Sequence, residues 1–439
     1  MGYFYLFTTS TLLFIYLYHV PVFFMPNWVT LSFMPIGGLL VLAFPFGRKL
    51  YHHSAIAWLL LLGGIPLSWM LFSCIRSNVM DGVLYAYILG FFGSFLSCGL
   101  VLFFWKKTIH YFNFNFINLL FYIIFIQSLF ILVMPFYPTL RYTVYGFMGN
   151  VPLDPDAFRC GGLTSTRVFG LGVLQSLGAM LAPFVLIQTK SWLVSCFVIF
   201  STLSIVCSTI ISARIGILGV ALGTCFFCFS FFRIHFVGVF FLFGYLKRLA
   251  LRGILLIIFC VIIGGFWVTN ETLQEIENKI LPWAFSIYFN YQDSGKLEDE
   301  TVNIIMQKFY WMPPWKTFIF GDGLYMDPYE GYYMHTDAGY MRSLLFFGVI
   351  GSFFVYIIYI FIAYVVLKKA TEYHLPFFSQ IIIGLTVCWF FYHWKGDLLI
   401  SGYRIPILFL FLSLNARLFT FGSGFSTVPN HCIDLFKSR

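Results

Sequence analysis

The sequence predicts an all-α polytopic integral membrane protein, and three observations predict it. The 439-residue chain is 60% hydrophobic and 10% charged, with a mean hydropathy of +0.88, which leaves too little polar surface to clothe a soluble core. Its apolar residues fall in runs of about 20, the length a helix needs to cross roughly 30 Å of hydrocarbon. Those runs are apolar on every face, whereas a membrane β-barrel alternates apolar and polar positions with a period of two.

Taken in chain order, about twelve transmembrane helices are expected in a single membrane domain covering residues 1–439. They lie near residues 4–22, 28–46, 54–75, 82–105, 115–137, 169–188, 192–211, 215–232, 253–269, 343–367, 377–393 and 404–420. No basic residue and no small-residue cleavage pattern marks the first run, so it reads as a retained span rather than a signal peptide. Orientation follows from Lys and Arg, which concentrate in short cytoplasmic loops. With the N-terminus inside, the inner face receives Arg48, Lys49, Lys106, Lys107, Lys190, Arg233, Lys247, Arg248, Arg252, Lys368, Lys369, Arg417, Lys437 and Arg439, against only Glu372 and Asp434. Both termini are therefore expected in the cytoplasm. The net charge of +9 is then topological signal plus attraction to anionic headgroups, and no nucleic-acid partner is needed to explain it.

Most of the ten cysteines fall inside spans. Cys225 and Cys228 form a C-x-x-C within a membrane helix, without partner cysteines or histidines at ligand spacing, and read as packing. Cys160 is the only one well inside an extramembrane loop. Neither a disulfide framework nor a metal site is expected.

Two outer loops stand out for length, at about 138–168 and 270–342. The second is rich in Trp, Tyr, Phe and Ile. Within it Glu271–Ile280 and Glu298–Phe309 carry apolar residues at helical spacing, so short helices on the membrane surface or over a cavity are expected. It ends in a polar island, GDGLYMDPYEGYYMHTDAGYMR, directly before the tenth span.

Arginine at a span centre costs at least about 2.5 kcal/mol, so its placement is informative. Arg214, in STIISARIGILGV, stands between spans seven and eight. It reads either as a fixed cation facing an anion-binding cavity or as a snorkelling interface anchor. Arg159 and Arg167, in DAFRCGGLTSTRVFGLG, flank Gly-Gly and a Ser/Thr cluster. They suit diphosphate oxygens, which the guanidinium fork binds in bidentate fashion, or they pair with Asp154 and Asp156 in a solvated loop. Arg342 and Arg404 begin spans, and Arg404 reads as an interface marker. Gly321-Asp322-Gly323 lacks the Gly-Lys-Ser/Thr of a nucleotide loop and reads as a tight turn. Trp311, Trp315, Tyr325, Tyr329, Tyr332 and Tyr333 suit sugar stacking and an interfacial belt equally well.

The order of these segments resembles a known family. Arg159 followed by Gly170 at a helix start resembles the arginine motif in the outer loop of O-antigen and related polysaccharide polymerases. SARIGILG resembles the small-residue/Arg turn that opens a span in the same superfamily, which includes the O-antigen ligases. GDGLY, a short gap, then TDAGYMRSLLFFGVIGS resembles its G-x-G, followed by His or Asp, Tyr, and G-[VIL]-I-G entering a helix. The resemblance covers roughly residues 155–365.

It implies glycosyl transfer on the periplasmic face of a bacterial inner membrane. A glycan on undecaprenyl diphosphate moves to the terminal sugar of another undecaprenyl-diphosphate-linked repeat unit, with the polyprenyl diphosphate leaving and no nucleotide sugar, metal or other cofactor. On this reading Arg159 and Arg214 stabilise the departing diphosphate, with Arg167 and Arg342 in support. Asp337 is the general base for the acceptor hydroxyl, beside His335 as a further contact. Tyr340, Tyr333, Tyr325 and Trp315 bind substrate. The other reading of Asp337 is an acid placed at the N-terminus of span ten, where the helix dipole favours it.

The expected partners are membrane lipid and a chain-length regulator protein in the same membrane. One departure is plain: eleven residues after Arg342 stands Phe353, so the second arginine-glycine repeat of some family members is missing. A ligase acting on lipid A core shares the architecture, but Asp337 stands where ligases often carry His. A flippase or other transporter usually shows repeated halves and short loops, and neither is seen. An assembly protein without activity leaves the arginines unexplained.

Overall fold

A computed structural model of the chain describes residues 1–20, 27–77, 79, 82–112, 115–147, 161–164, 168–189, 191–235, 274, 277–278, 281–295, 300–327, 331–373, 376–398 and 402–416. The helices among them are α1 Gly2–Tyr18, α2 Asn27–Val41, α3 Pro45–Tyr51, α4 Ser54–Ser77, α5 Gly82–Tyr87, α6 Ser94–Tyr111, α7 Phe116–Val133, α8 Pro138–Phe147, α9 Val168–Gln188, α10 Trp192–Ser212 and α11 Ile217–His235. Further along come α12 Leu281–Ala284, α13 Ser286–Ser294, α14 Glu300–Ile304, α15 Trp315–Phe320, α16 Gly339–Glu372, α17 Pro376–Lys395 and α18 Arg404–Leu414. A two-residue ladder of β1 Met326–Asp327 with β2 Gly331–Tyr332 interrupts them.

Among the described residues six helices are long and apolar enough to cross a membrane: Ser54–Ser77, Gly82–Tyr111, Phe116–Val133, Gly170–Gln188, Trp192–Ser212 and Gly339–Glu372. The chain is thus an α-helical, multi-pass membrane protein. The Gly82–Tyr111 span is continuous through a π turn at Ile88–Gly93. The segments Ile217–Phe226 and Arg404–Leu414 are apolar but shorter. The span expected at 253–269 lies outside the described residues, as does the expected helix at Glu271–Ile280 apart from isolated positions. The other helix expected in that loop is present as α14 and the π turn Ile305–Phe309 that continues it.

The span expected as one helix at 28–46 is broken instead. Its halves, Ser32–Val41 and Pro45–Tyr51, are bent by 108°. Pro45 has no N–H to continue the ladder, and its ring pushes Phe44 into extended backbone (φ −89°, ψ 141°). The turn closes through Ala43 N–H to Leu40 and Phe44 N–H to Val41.

The described residues form two compact units, one from 1–113 with 298–420 and one within 114–297. In the first, α6 packs on α1 and α2, and α16 packs on α4, α15, α17 and α18. Tyr87, Phe91, Tyr359 and Tyr403 interlock at its core by edge and stacked contacts. In the second, α9 packs on α7, α10 and α11. Lipid offers no hydrophobic drive between helices, so close approach and internal polar contacts hold such units together. Gly172 lets α9 meet Ala213, where a Cβ would come within 2.6 Å of the alanine methyl. A buried polar layer adds to this: the Ser128 hydroxyl donates to Gln175 Oε1 at 2.8 Å.

Candidate functional site

The site is built on a break in α16. Gly348 takes φ 67°, ψ −179° inside this 34-residue helix, a conformation open to glycine and strained for a residue with a Cβ. The break releases the carbonyls of Leu345 and Phe346 from the helical ladder. They accept instead the N–H groups of Asp322 (2.6 Å) and Gly323 (3.2 Å). Gly321 and Gly323 are left-handed too (φ 69° and 75°). A Cβ on Gly321 would lie 2.2 Å from the Phe346 carbonyl oxygen, and one on Gly348 2.1 Å from that of Ile319. The GDG and GVIG segments are therefore two halves of one backbone junction, and GDG is a turn, as its sequence suggested. Arg76, at the end of α4, donates to the Gly321 carbonyl.

From this junction the β1–β2 ladder carries Tyr325 and Tyr332 to the start of α16. There the Arg342 guanidinium packs over both rings, 3.8 Å from each centroid. Arg342 is only 7% exposed, so this expected cation is a fixed one. The Tyr325 hydroxyl donates to Asp397 Oδ2. Asp397 Oδ1 lies 3.6 Å from His393 Nδ1, and the Asp397 side chain is 8% exposed. The Leu398 N lies 3.4 Å from His393 Nδ1, and Ser343 Oγ is within hydrogen-bond distance of His393 Nε2 (3.2 Å). Ser343 and His393 are both fully buried. The Tyr325 hydroxyl is what orients Asp397, and the buried Ser343–His393 pair is closed to an incoming substrate.

On the same rim Asp322 accepts from Thr317 Oγ1 (2.8 Å) and from the Tyr333 hydroxyl (3.2 Å). Burial and the facing Asp322 carboxylate push the Tyr333 phenol up. Tyr340 donates to the Phe390 carbonyl (2.7 Å) and sets its ring against His393. Trp315 is exposed and stacks on Phe318. Asp337 and His335 are both exposed, in the segment that leads into α16. Thr336, not Asp337, takes the N–H of Ala338 (3.3 Å), and it ties the segment to the Phe309 carbonyl (3.1 Å). His335 and Met334 are both left-handed (φ 54° and 55°), and such strain in side-chain-bearing residues costs about 1–2 kcal/mol each.

Arg214 belongs to the second unit. Arg214 sits in a 3₁₀ turn, Arg214–Gly216, between α10 and α11, half-buried, and donates to the Ser286 hydroxyl of α13. Arg159 and Arg167 lie outside the described residues. The glycines between them are fixed: Gln127 donates to the Gly161 carbonyl (2.8 Å) and accepts the Leu163 N–H (3.1 Å). Gly162 is left-handed (φ 62°). Of the residues brought together here, sequence reasoning singled out Arg342, Tyr325 and Tyr333, and it did not single out Asp397, His393, Ser343 or Arg76. The one signal for Asp397 was an acid in the short WKGD connection after span eleven.

Among the described residues no group of three or more His, Cys, Asp or Glu is placed to hold a metal ion. The fold and this rim define the class: a helical membrane protein with a fixed cation and oriented carboxylates at one end of a broken span. No protein-family model matches the chain, and comparison with curated proteins and with solved structures gives no match either.

Proposed function

We propose that this protein is a surface-polysaccharide polymerase of the O-antigen type. It would move a growing glycan from undecaprenyl diphosphate to the terminal sugar of another lipid-linked repeat unit on the periplasmic face of the inner membrane. The observation that carries this reading is Arg342, held over the Tyr325 and Tyr332 rings beside the oriented Asp397. Departure of a diphosphate builds negative charge, and a guanidinium that is already in place stabilises it without reorganising. The acceptor hydroxyl must lose a proton, and the exposed Asp337 is assigned that task. Asp397 holds Tyr325, and through it the stacking surface under Arg342. Exposed aromatic faces, Trp315 foremost, suit sugar rings. Arg159, Arg167 and Arg214 enter through the family resemblance, as further diphosphate contacts.

The test supplies the purified protein with undecaprenyl-diphosphate-linked repeat units alone, without nucleotide, added metal or lipid A, and resolves the glycolipids by size. A ladder of multiples is expected. Transfer only after lipid A core is added would reassign the chain as a ligase. No product in either case would favour a transporter.

A further inference from the structure

A second polar centre lies in the first unit, where α1 ends and α18 begins. Arg404 Nη1 donates to the carbonyls of Leu17 (2.9 Å) and Tyr16 (3.4 Å), and Nη2 contacts His19 Nδ1. The Tyr16 hydroxyl answers by donating to the Arg404 carbonyl (2.7 Å). A cation thus caps the C-terminus of α1, where unsatisfied carbonyls and the helix dipole favour one. Among the described residues no carboxylate pairs with Arg404, and the segment following His19, VPVFFMPNWVTL, contains no acid.

Beside Arg404 lies a cavity of about 30 Å³, lined also by Tyr16, His19, Ser94 and Ser97. Ser94 and Ser97 are 4% and 5% exposed. The buried Arg404 Nε has no hydrogen-bond partner among the described residues. Buried polar groups are paired in the great majority of cases, and a buried charge without a counter-charge is costly. Ser94 follows directly on the π turn Ile88–Gly93, an insertion that concentrates at functional positions.

We propose that this cavity binds one chloride-sized anion, with Arg404 as counter-charge and the Ser94 and Ser97 hydroxyls as donors. The cavity has room for a small anion the size of chloride. None of the residues lining it is among the proposed diphosphate contacts, so the site holds whatever the protein's reaction is. The anion offsets the buried charge that ties α1 to α18, so it stabilises the fold in proportion to its occupancy.

The test follows thermal unfolding of the detergent-purified full chain while chloride replaces gluconate at constant ionic strength. The midpoint should rise with chloride and saturate, and bromide should substitute. The Ser94→Ala/Ser97→Ala double variant should lose most of the chloride-dependent rise. Equal midpoints in gluconate and chloride, or an undiminished rise in the double variant, would overturn the site and leave the cavity to water. Bromide-soaked crystals of the unaltered protein provide the check that needs no variant. An anomalous peak beside Arg404 supports the proposal, and a cavity without one rejects it.

Discussion

Arg342 is a buried cation whose charge is presented on two aromatic rings, and its planarity matters as much as its charge. Replacing it with Lys keeps the charge but loses flat stacking, so Arg342→Lys should destabilise the protein by about 1–2 kcal/mol, measured by reversible unfolding in mixed micelles. If the guanidinium also stabilises the leaving diphosphate, polymer synthesis should fall roughly 10²-fold at matched membrane levels. For Arg214→Lys and Arg159→Lys the fork is lost while charge and insertion are retained. A strong fall in synthesis is expected for both, and near-normal ladders from both would remove them from diphosphate binding. Tyr333 gives a pH prediction. Its phenol is pushed up by burial and then by Asp322, so the folded state keeps the proton more firmly than the unfolded chain. That contribution is complete below the unfolded value near 10 and is lost as pH rises through the folded one. The stability gap between the native protein and Tyr333→Phe should therefore narrow above about pH 10.

At the scale of elements, the broken α16 is the feature on which the site depends. Gly348 and Gly321 each require a left-handed backbone and stand too close to a facing carbonyl for a Cβ. Gly348→Ala should cost about 2 kcal/mol or more, from backbone strain together with the clash. It should also free the Asp322 and Gly323 amides for rapid hydrogen exchange, which tests the junction directly. An unbroken, equally stable α16 in that variant would show that the break is dispensable. The bend between α2 and α3 has a separate cause, since Pro45 ends the ladder there. Gln127 plays the matching part in the second unit, holding Gly161 and Leu163 with both ends of one buried amide.

At the scale of the whole molecule, orientation rests on the distribution of Lys and Arg. In a chain freed of its native cysteines, Lys107→Cys should react with an impermeant maleimide only after the membrane is opened. Asp337→Cys should react in intact spheroplasts. The reverse pattern would invert the topology and move the proposed site to the cytoplasm.

The residues alone determined the class of this protein and most of its described spans. An apolar run long enough to cross hydrocarbon must satisfy its own backbone hydrogen bonds, and that requirement is local. The sequence also marked Arg342 and its tyrosines, because charge beside a membrane span is rare enough to be noticed. Only tertiary packing decided that Gly348 breaks α16 and that GDG docks on the break. The same holds for Asp397, which Tyr325 reaches across 72 positions of chain. His393, Ser343 and the Arg404 cavity likewise draw on segments far apart in sequence. Such partners are selected by which helix faces meet in space, and no spacing along the chain encodes that meeting.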